Sequence, residues 1–130
     1  MCIFCKIINH EIPSSCIYED DRVMAFLDLS QVTKGHTLVV PKKHSSNMLE
    51  ADPEDLAHLI KVVQMLSKRI TERCNALGCN ILNNTNEAAG QTVMHTHFHI
   101  IPRYGNEDSI QIHFNESEKQ DLNQLADLLK

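Results

Sequence analysis

Apolar residues in the first third of the chain come in short runs that turn-forming residues separate. Ser15–Glu19 and Arg22–Asp28 flank the turn-forming pair Asp20-Asp21. Two strand-like segments around such a pair predict a hairpin. Gly35–Pro41 (GHTLVVP) predicts a third strand, which ends at its proline before the basic pair Lys42-Lys43.

The pattern changes to helical spacing at Asp52. Asp52 precedes Pro53, an arrangement typical of an N-cap with proline at the first helical position, and the acidic residues that follow suit the positive end of the helix dipole. Apolar residues then recur at helical spacing as far as Gly78, which we predict to end the helix. These residues, which we expect in the core, are Leu56, Leu59, Ile60, Val63, Leu66, Ile70 and Leu77.

Two further strands and a short helix complete the prediction. Cys79–Asn83 and His97–Arg103 bring the strand count to about five, and Glu118–Leu129 is a short amphipathic stretch. Consecutive short strands around one long helix favour an α+β fold with an antiparallel sheet. We expect one domain over residues 1–130, with a core at 2–105 and a polar tail with the short helix at 106–130.

Composition and charge narrow the possible functions. The chain has 130 residues and a formal net charge of −5, which argues against a protein that wraps nucleic acid through phosphate contacts. No eighteen-residue apolar run and no signal-like start is present, so we expect a cytoplasmic protein that neither enters nor spans a membrane.

The cysteines point to metal binding or simple burial. Their number is five, an odd count that argues against a disulfide framework. Cys2 and Cys5 form a single CxxC, and a lone CxxC is compatible with zinc ligation, with two buried thiols or with a redox pair. The other three are expected to be buried thiols: Cys16, Cys74 and Cys79.

Three histidines at alternate positions dominate the segment MHTHFHIIPR, namely His95, His97 and His99. In an extended chain all three imidazoles share one face, and neighbours lie about 6.6 Å apart. A single histidine on a strand usually has no chemical role, but three in register add no apolar packing and lose solvation when buried. We therefore expect nucleophiles or ligands for a metal.

A glycine-containing loop comes directly before these histidines. Gly90 permits backbone geometry in which consecutive amides face an anion, and the side chains of Gln91 and Thr92 add donors. Such a loop alone is more often an ordinary turn. Asp28 likewise is either the end of a hairpin or an acceptor for the two hydroxyls of a ribose.

The segment GQTVMHTHFHII matches the signature of the histidine-triad nucleotide-binding family, in which histidines alternate with apolar residues. The resemblance runs from about Cys2 to Arg103 and includes LDLSQVTKGHTLVVPKKH, which is similar to the nucleoside-binding segment of that family. Thr96 departs from the motif, because the family prefers an apolar residue there.

The resemblance implies an enzyme that acts at the α-phosphate of a nucleotide through a covalent intermediate on His97. The backbone of Gly90–Thr92 and His99 would then meet the charge on the phosphoryl oxygens, while His95 and His36 would support the tautomer and orientation of the central ring. Asn84 would help to place the substrate. The expected substrates are AMP or GMP derivatives such as phosphoramidates and acyl-adenylates.

The resemblance also implies binding roles. Asp28 would hold the ribose, and apolar walls for the base would come from Phe26, Leu29 and Ile7. Some members of the family hold a structural zinc ion with residues that correspond to Cys2, Cys5, His44 and His95, and no organic cofactor is expected. The family is typically a homodimer.

Three other functions stay open on the sequence alone. The same residues would serve the cleavage of dinucleoside polyphosphates. A nucleotide-binding or zinc-binding interaction module with incidental turnover is the second alternative, although such a module would be expected to lack His97. The third is a catalytic metal chelated by the three histidines. The absence of an acidic ligand nearby in the sequence argues against this third alternative.

Overall fold

Five strands form one antiparallel sheet in the order β1-β2-β3-β5-β4. The structure is a computed structural model that describes residues 2–130. The strands are β1 (Cys16–Glu19), β2 (Val23–Leu27), β3 (Thr37–Pro41), β4 (Gly78–Leu82) and β5 (Phe98–Arg103). The predicted α+β fold with five strands is confirmed, and each strand lies within two residues of its predicted bounds.

The long helix α2 (Pro53–Arg73) begins where the sequence predicts it. The carboxylate of Asp52 accepts a hydrogen bond from the backbone N–H of Glu54 at 2.8 Å, which is the predicted N-cap. The predicted end at Gly78 is wrong. Asn75 has φ 55 and the N–H of Ala76 donates to the carbonyl oxygen of Thr71, so an asparagine in the left-handed region ends the helix.

Leu77, predicted to be a core residue of this helix, therefore lies beyond it and is 85% exposed. The sequence prediction also missed α1 (Ile3–Ile8), because six residues are too few for a helical period to be visible. The tail helix α3 is Leu122–Leu129, capped by Asp121, and begins four residues after the predicted Glu118.

Strands β2 and β5, which flank the central strand β3, are largely buried on both faces of the sheet. On β2, Val23 and Ala25 pack with α2, whereas Met24 and Phe26 pack with α1. On β5, Phe98 and Ile100 belong to the cluster beneath α2. Because side chains alternate along a strand, His97 and His99 take the opposite face, which α1 covers.

The tail after residue 105 is mostly exposed, and α3 has no buried residue. The guanidinium of Arg103 anchors its start by donating to the carboxylate of Asp108 at 2.8 Å and to the carbonyl oxygen of Ile110 at 3.1 Å. Over the described residues 2–130, no helix has the length and apolar character needed to cross a bilayer. The division into one domain with a core and a tail stays a prediction.

Asp20 joins the β1–β2 turn to α2. Its carboxylate accepts hydrogen bonds from the backbone N–H groups of Arg22 and Val23 and from the Tyr18 hydroxyl, and it lies 2.7 Å from Nε2 of His58 on α2. Burial opposes ionisation, but the hydrogen bonds outweigh it and hold the pKa of Asp20 well below its usual range.

The substitution Asp20→Asn should lower the free energy of unfolding at neutral pH by about 1 to 3 kcal/mol, because charge-assisted hydrogen bonds are lost. Since the folded-state pKa is depressed, this stabilisation is present above the unfolded pKa of about 3.9 and is lost as the pH falls through the folded pKa. Urea titrations at several pH values measure both effects. Asp21→Asn, at the exposed neighbour, is the control, and equal losses in the two variants would contradict the role of Asp20.

Candidate active site

The central histidine of the triad has a fixed tautomer. Nδ1 of His97 lies 2.7 Å from the backbone carbonyl oxygen of His95. A carbonyl oxygen can only accept, so Nδ1 carries a proton, and in the tautomer that this contact selects the lone pair is on Nε2. The residue is only 6% exposed, so this nitrogen lies in a largely dry setting.

Two contacts that the sequence analysis missed hold His97 in place. The side-chain amide of Asn83 donates to the carbonyl oxygen of His97 at 3.0 Å. The ring of Phe4 on α1 meets the rings of His95 and His97 edge-on, with centroids 5.9 and 5.1 Å away. Asn83 was visible in the polar run NNTN, but Phe4 lies in a helix too short to be predicted.

His99 lies beside His97, with ring centroids 5.1 Å apart. Burial first, and then neighbouring His97 and His36, lower the pKa of His99 to about 4, against a smaller opposing effect of Asp28. The ring is therefore neutral at neutral pH. It is available as a hydrogen-bonding group and carries no charge of its own.

The structure places the ring of His36 beside His99, and His95 contacts the central ring through its backbone and not through its side chain. Nε2 of His36 lies 2.9 Å from Nδ1 of His99, so His36 orients His99 and not the central ring. The His95 ring turns away from His97 as well, with Nε2 donating to the Pro41 carbonyl oxygen at 2.8 Å. The backbone of His95 fixes the tautomer of His97, a contribution that side-chain patterns do not reveal.

The loop before the triad is more occupied than the sequence implies. Gly90 has φ 98, as its expected backbone freedom allows, but its N–H donates to Glu87 and that of Gln91 donates to Asn86. The Gln91 side chain is 3% exposed, and its amide donates to the carbonyl oxygens of Ser46 and Val93. These groups cannot also serve an anion as predicted.

Thr92 keeps its donors. It is exposed, and no hydrogen bond within residues 2–130 engages it. Asn84 is half-buried beside the same loop and donates to the carbonyl oxygen of Gly90 at 3.4 Å. Of the predicted anion donors in the loop, the hydroxyl and N–H of Thr92 are thus the two without a partner in residues 2–130.

A cavity of about 260 Å³ opens between α1 and the end of β2. All four residues predicted to contact a nucleoside line it: Ile7, Phe26, Asp28 and Leu29. Phe26 and Ile7 are buried in its wall, whereas Leu29 is 99% exposed and lies at the surface. The Asp28 carboxylate accepts a hydrogen bond from the N–H of Ser30 through one oxygen, and its other oxygen lies 3.7 Å from Nε2 of His36.

The four predicted metal ligands converge at the start of α1. Each contributes one sulfur or Nδ1 atom, and all these atoms lie within 4.8 Å of one another. The sulfur atoms of Cys2 and Cys5 are 3.2 Å apart, the Nδ1 atoms of His44 and His95 are 3.1 Å apart, and the sulfur-to-nitrogen distances run from 3.4 to 3.7 Å. This donor set is the one that structural zinc sites use.

The residue that departs from the histidine motif joins the two histidines of this cluster. Thr96 is fully buried, and its hydroxyl lies 2.7 Å from the hydroxyl of Ser45. Its N–H also donates to the Ser45 carbonyl oxygen at 2.9 Å. Ser45 and Thr96 directly follow His44 and His95, so this pair of residues holds the two segments together.

The HIT domain profile matches residues 9–106, and the chain belongs to this family. It is 46% identical over 129 residues to "Protein hit" of Bacillus subtilis, covering 96% of this chain and 89% of that protein. It is similar to the crystal structure of a histidine triad nucleotide-binding protein from Candida albicans, with a TM-score of 0.86 and 32% identity over 99% of this chain and 92% of that chain. It is also 40% identical to the adenylylsulfatase HINT3 of Arabidopsis thaliana, over 78% of this chain and 52% of that protein.

The low pKa of His99 gives a direct prediction. The His99 ring should stay neutral on acidification from pH 7 and protonate only near pH 4. This pKa is depressed below the unfolded value of about 6.5. The contribution of His99 to the free energy of unfolding is therefore fully present above about pH 6.5 and is lost as the pH falls through 4. Nitrogen-15 NMR of the histidine rings, with assignment by a His99→Gln variant, measures it. A His99 ring already protonated at about pH 6 would contradict the buried neutral state.

Proposed function

We propose that the protein is a nucleotide hydrolase or transferase that acts at the α-phosphate of purine nucleotide derivatives. The observation that carries the proposal is the free Nε2 lone pair of His97, held by its backbone hydrogen bond beside a cavity lined by Asp28 and apolar residues. A positioned neutral imidazole is a competent nucleophile at cellular pH.

In the proposed reaction Nε2 of His97 attacks the α-phosphorus, the bond from phosphorus to the leaving group breaks, and a nucleotidyl-histidine forms. Water then attacks the phosphorus and the P–N bond to His97 breaks, which releases the nucleotide and returns the lone pair to Nε2. The proton that water loses balances the proton that the departed leaving group takes up. The Thr92 hydroxyl and N–H would stabilise the charge on the phosphoryl oxygens, and neutral His99 would add a hydrogen bond in the same dry setting. Two moderate barriers replace one high barrier.

Recognition of the nucleoside follows from the cavity. Asp28 has one carboxylate oxygen committed to the N–H of Ser30, which leaves its second oxygen for the ribose hydroxyls. The side chains of Phe26 and Ile7 line the cavity and would contact the faces of a purine ring. Such contacts bury the aromatic surface of the base. The nucleotide-binding protein of Candida albicans and the Arabidopsis adenylylsulfatase support a nucleotide as the ligand.

The proposed substrate classes differ in the leaving group on the α-phosphate. Initial rates with adenylyl phosphoramidates, acyl-adenylates and dinucleoside polyphosphates, compared as kcat/KM, rank them directly. We expect the phosphoramidates and acyl-adenylates to lead. Equal or faster cleavage of dinucleoside polyphosphates would replace this assignment with the alternative substrate class.

We also propose that Cys2, Cys5, His44 and His95 hold a structural zinc ion. Ideal tetrahedral coordination with zinc bonds of about 2.3 Å to sulfur and 2.0 to 2.1 Å to nitrogen requires sulfur-to-nitrogen distances near 3.6 Å, and the four distances lie between 3.4 and 3.7 Å. Burial and the adjacent Cys2 raise the pKa of the Cys5 thiol. Two neighbouring thiolates repel each other unless a cation lies between them. Zinc would favour both thiolates and tie α1 to the active-site segment.

We extend the proposal to a homodimer in a reducing cytoplasm. β4 is an edge strand of the sheet, and it carries Ile81, which is 44% exposed, next to the exposed Leu77. An uncovered edge of this kind favours pairing with a second copy, which sedimentation equilibrium tests. Two zinc thiolates persist only where thiols stay reduced, which favours the cytoplasm.

The substitution His97→Ala should lower kcat by about a thousandfold or more, because the nucleophile is lost. Affinity for AMP by calorimetry should stay within about threefold of the parent value, since Asp28 and the cavity walls are intact. His97→Gly with added imidazole should recover part of the activity. His113→Ala in the exposed tail is the control, and a His97→Ala protein with parental turnover would refute the covalent mechanism.

Reduced protein purified without added metal should contain about one zinc per chain. Removal of the zinc with a chelator should lower the melting temperature by more than about 5 °C, because the link between α1 and the triad segment is lost. The Cys2→Ser variant should lack zinc, whereas Cys16→Ser, at an exposed thiol on β1, should retain it. Elemental analysis decides, and reduced protein without zinc would remove the metal site from the proposal.

A further inference from the structure

The two cysteines at the start of α1 form a close pair of thiols that the proposed reaction does not use. We infer that Cys2 and Cys5 are a redox-active dithiol that a hydroperoxide oxidises to a disulfide, with release of the zinc ion. This inference rests on the zinc site of the proposed function. It makes the nucleotide site sensitive to oxidation through α1.

The positions of the two residues suit a disulfide. Cys2 is the N-cap of α1 and Cys5 lies in its first turn, where the Cys2 sulfur accepts a hydrogen bond from the N–H of Cys5 at 3.2 Å. The two sulfur atoms are also 3.2 Å apart, and a disulfide requires about 2.05 Å. Formation of the bond thus requires the two sulfur atoms to approach by about 1.1 Å.

The pair is also reachable and distinct from the other thiols. Cys2 and Cys5 are both partly exposed. Cys16 is exposed and not buried as predicted, and its thiol donates a hydrogen bond to the carbonyl oxygen of Tyr18. Within residues 2–130, no other two sulfur atoms are in hydrogen-bond contact. An oxidised Cys16 therefore has no nearby thiol to resolve it, whereas Cys2 and Cys5 resolve each other.

The chemistry balances with a hydroperoxide as the oxidant. One thiolate attacks the peroxide oxygen and becomes a sulfenic acid, and the second thiolate then displaces hydroxide to form the disulfide. With hydrogen peroxide, two thiolates, one peroxide and two protons give one disulfide and two waters. Sulfur loses two electrons and the peroxide gains them. A disulfide no longer offers thiolate ligands, so two imidazoles alone remain and the zinc ion leaves.

Release of the metal changes how α1 is held. The four-residue cluster is the polar link between α1 and the segments that carry His44 and His95. After oxidation α1 keeps its apolar contacts through Phe4 and Ile7, both of which line the nucleoside cavity. The His97 tautomer depends on the His95 carbonyl oxygen and not on α1. We therefore expect weaker nucleotide binding and a smaller effect on the chemical step.

The experiment treats the reduced, zinc-loaded full chain with hydrogen peroxide and follows zinc release with a chromogenic chelator. Trypsin cleavage after Lys6 gives peptide 1–6, in which Cys2 and Cys5 are the only cysteines. We expect this peptide to lose two hydrogen atoms in step with the release of one zinc, and reductant with added zinc to reverse both. KM for the nucleotide substrate should rise by about fivefold, with kcat changed less than about twofold.

A matched variant distinguishes oxidation of Cys2 and Cys5 from oxidation of the other cysteines. Cys16→Ser should release zinc at the parental rate, and circular dichroism should show that the oxidised protein stays folded. Zinc that is retained while peptide 1–6 forms the disulfide would overturn the inference, as would preferential oxidation of Cys16, Cys74 or Cys79. If the protein contains zinc before treatment but forms no disulfide in peptide 1–6 after peroxide is added, this inference alone is overturned. If the reduced protein contains no zinc before treatment, the proposed zinc site is overturned as well. Zinc content and peptide mass are measured independently of nucleotide hydrolysis.

Discussion

Burial of the central strands on both faces is the constraint on which the site depends. Side chains beneath α2 form one apolar cluster, and those beneath α1 form another. Residues 97 and 99 fall on the α1 face because Phe98 and Ile100 fill the α2 face. Strand register thereby places His97 against the short helix that also lines the cavity next to Asp28. A shift by one residue would exchange imidazoles for apolar side chains.

Burying several imidazoles in one place has an electrostatic cost that partners offset. The low pKa of His99 reflects this cost, since a charged ring there would lose solvation and face its neighbours. Each ring that the sequence placed in the site has a definite polar partner: the His95 carbonyl oxygen for His97, His36 for His99 and the Pro41 carbonyl oxygen for His95. Rings with satisfied hydrogen bonds keep the site rigid before a ligand arrives.

Patterns that repeat along the chain were predictable, and contacts that depend on the backbone were not. Strand alternation gave the five strands, and the capping pair Asp52-Pro53 gave the start of α2. The end of α2 was missed because Asn75, and not the more obvious Gly78, adopts the left-handed conformation. The motif located Gln91 but not its bonding, because its partners on Ser46 and Val93 depend on how distant segments meet.

The occupied amide of Gln91 has a thermodynamic consequence. Its three hydrogen bonds connect Asn86, Ser46 and Val93, so the loop next to the triad is immobilised when the chain folds. A flexible loop would lose about 1 to 2 kcal/mol of backbone entropy for each residue that a ligand orders. Here that entropy is already lost in the free protein, so a ligand that contacted the loop would not have to offset this loss of entropy on binding.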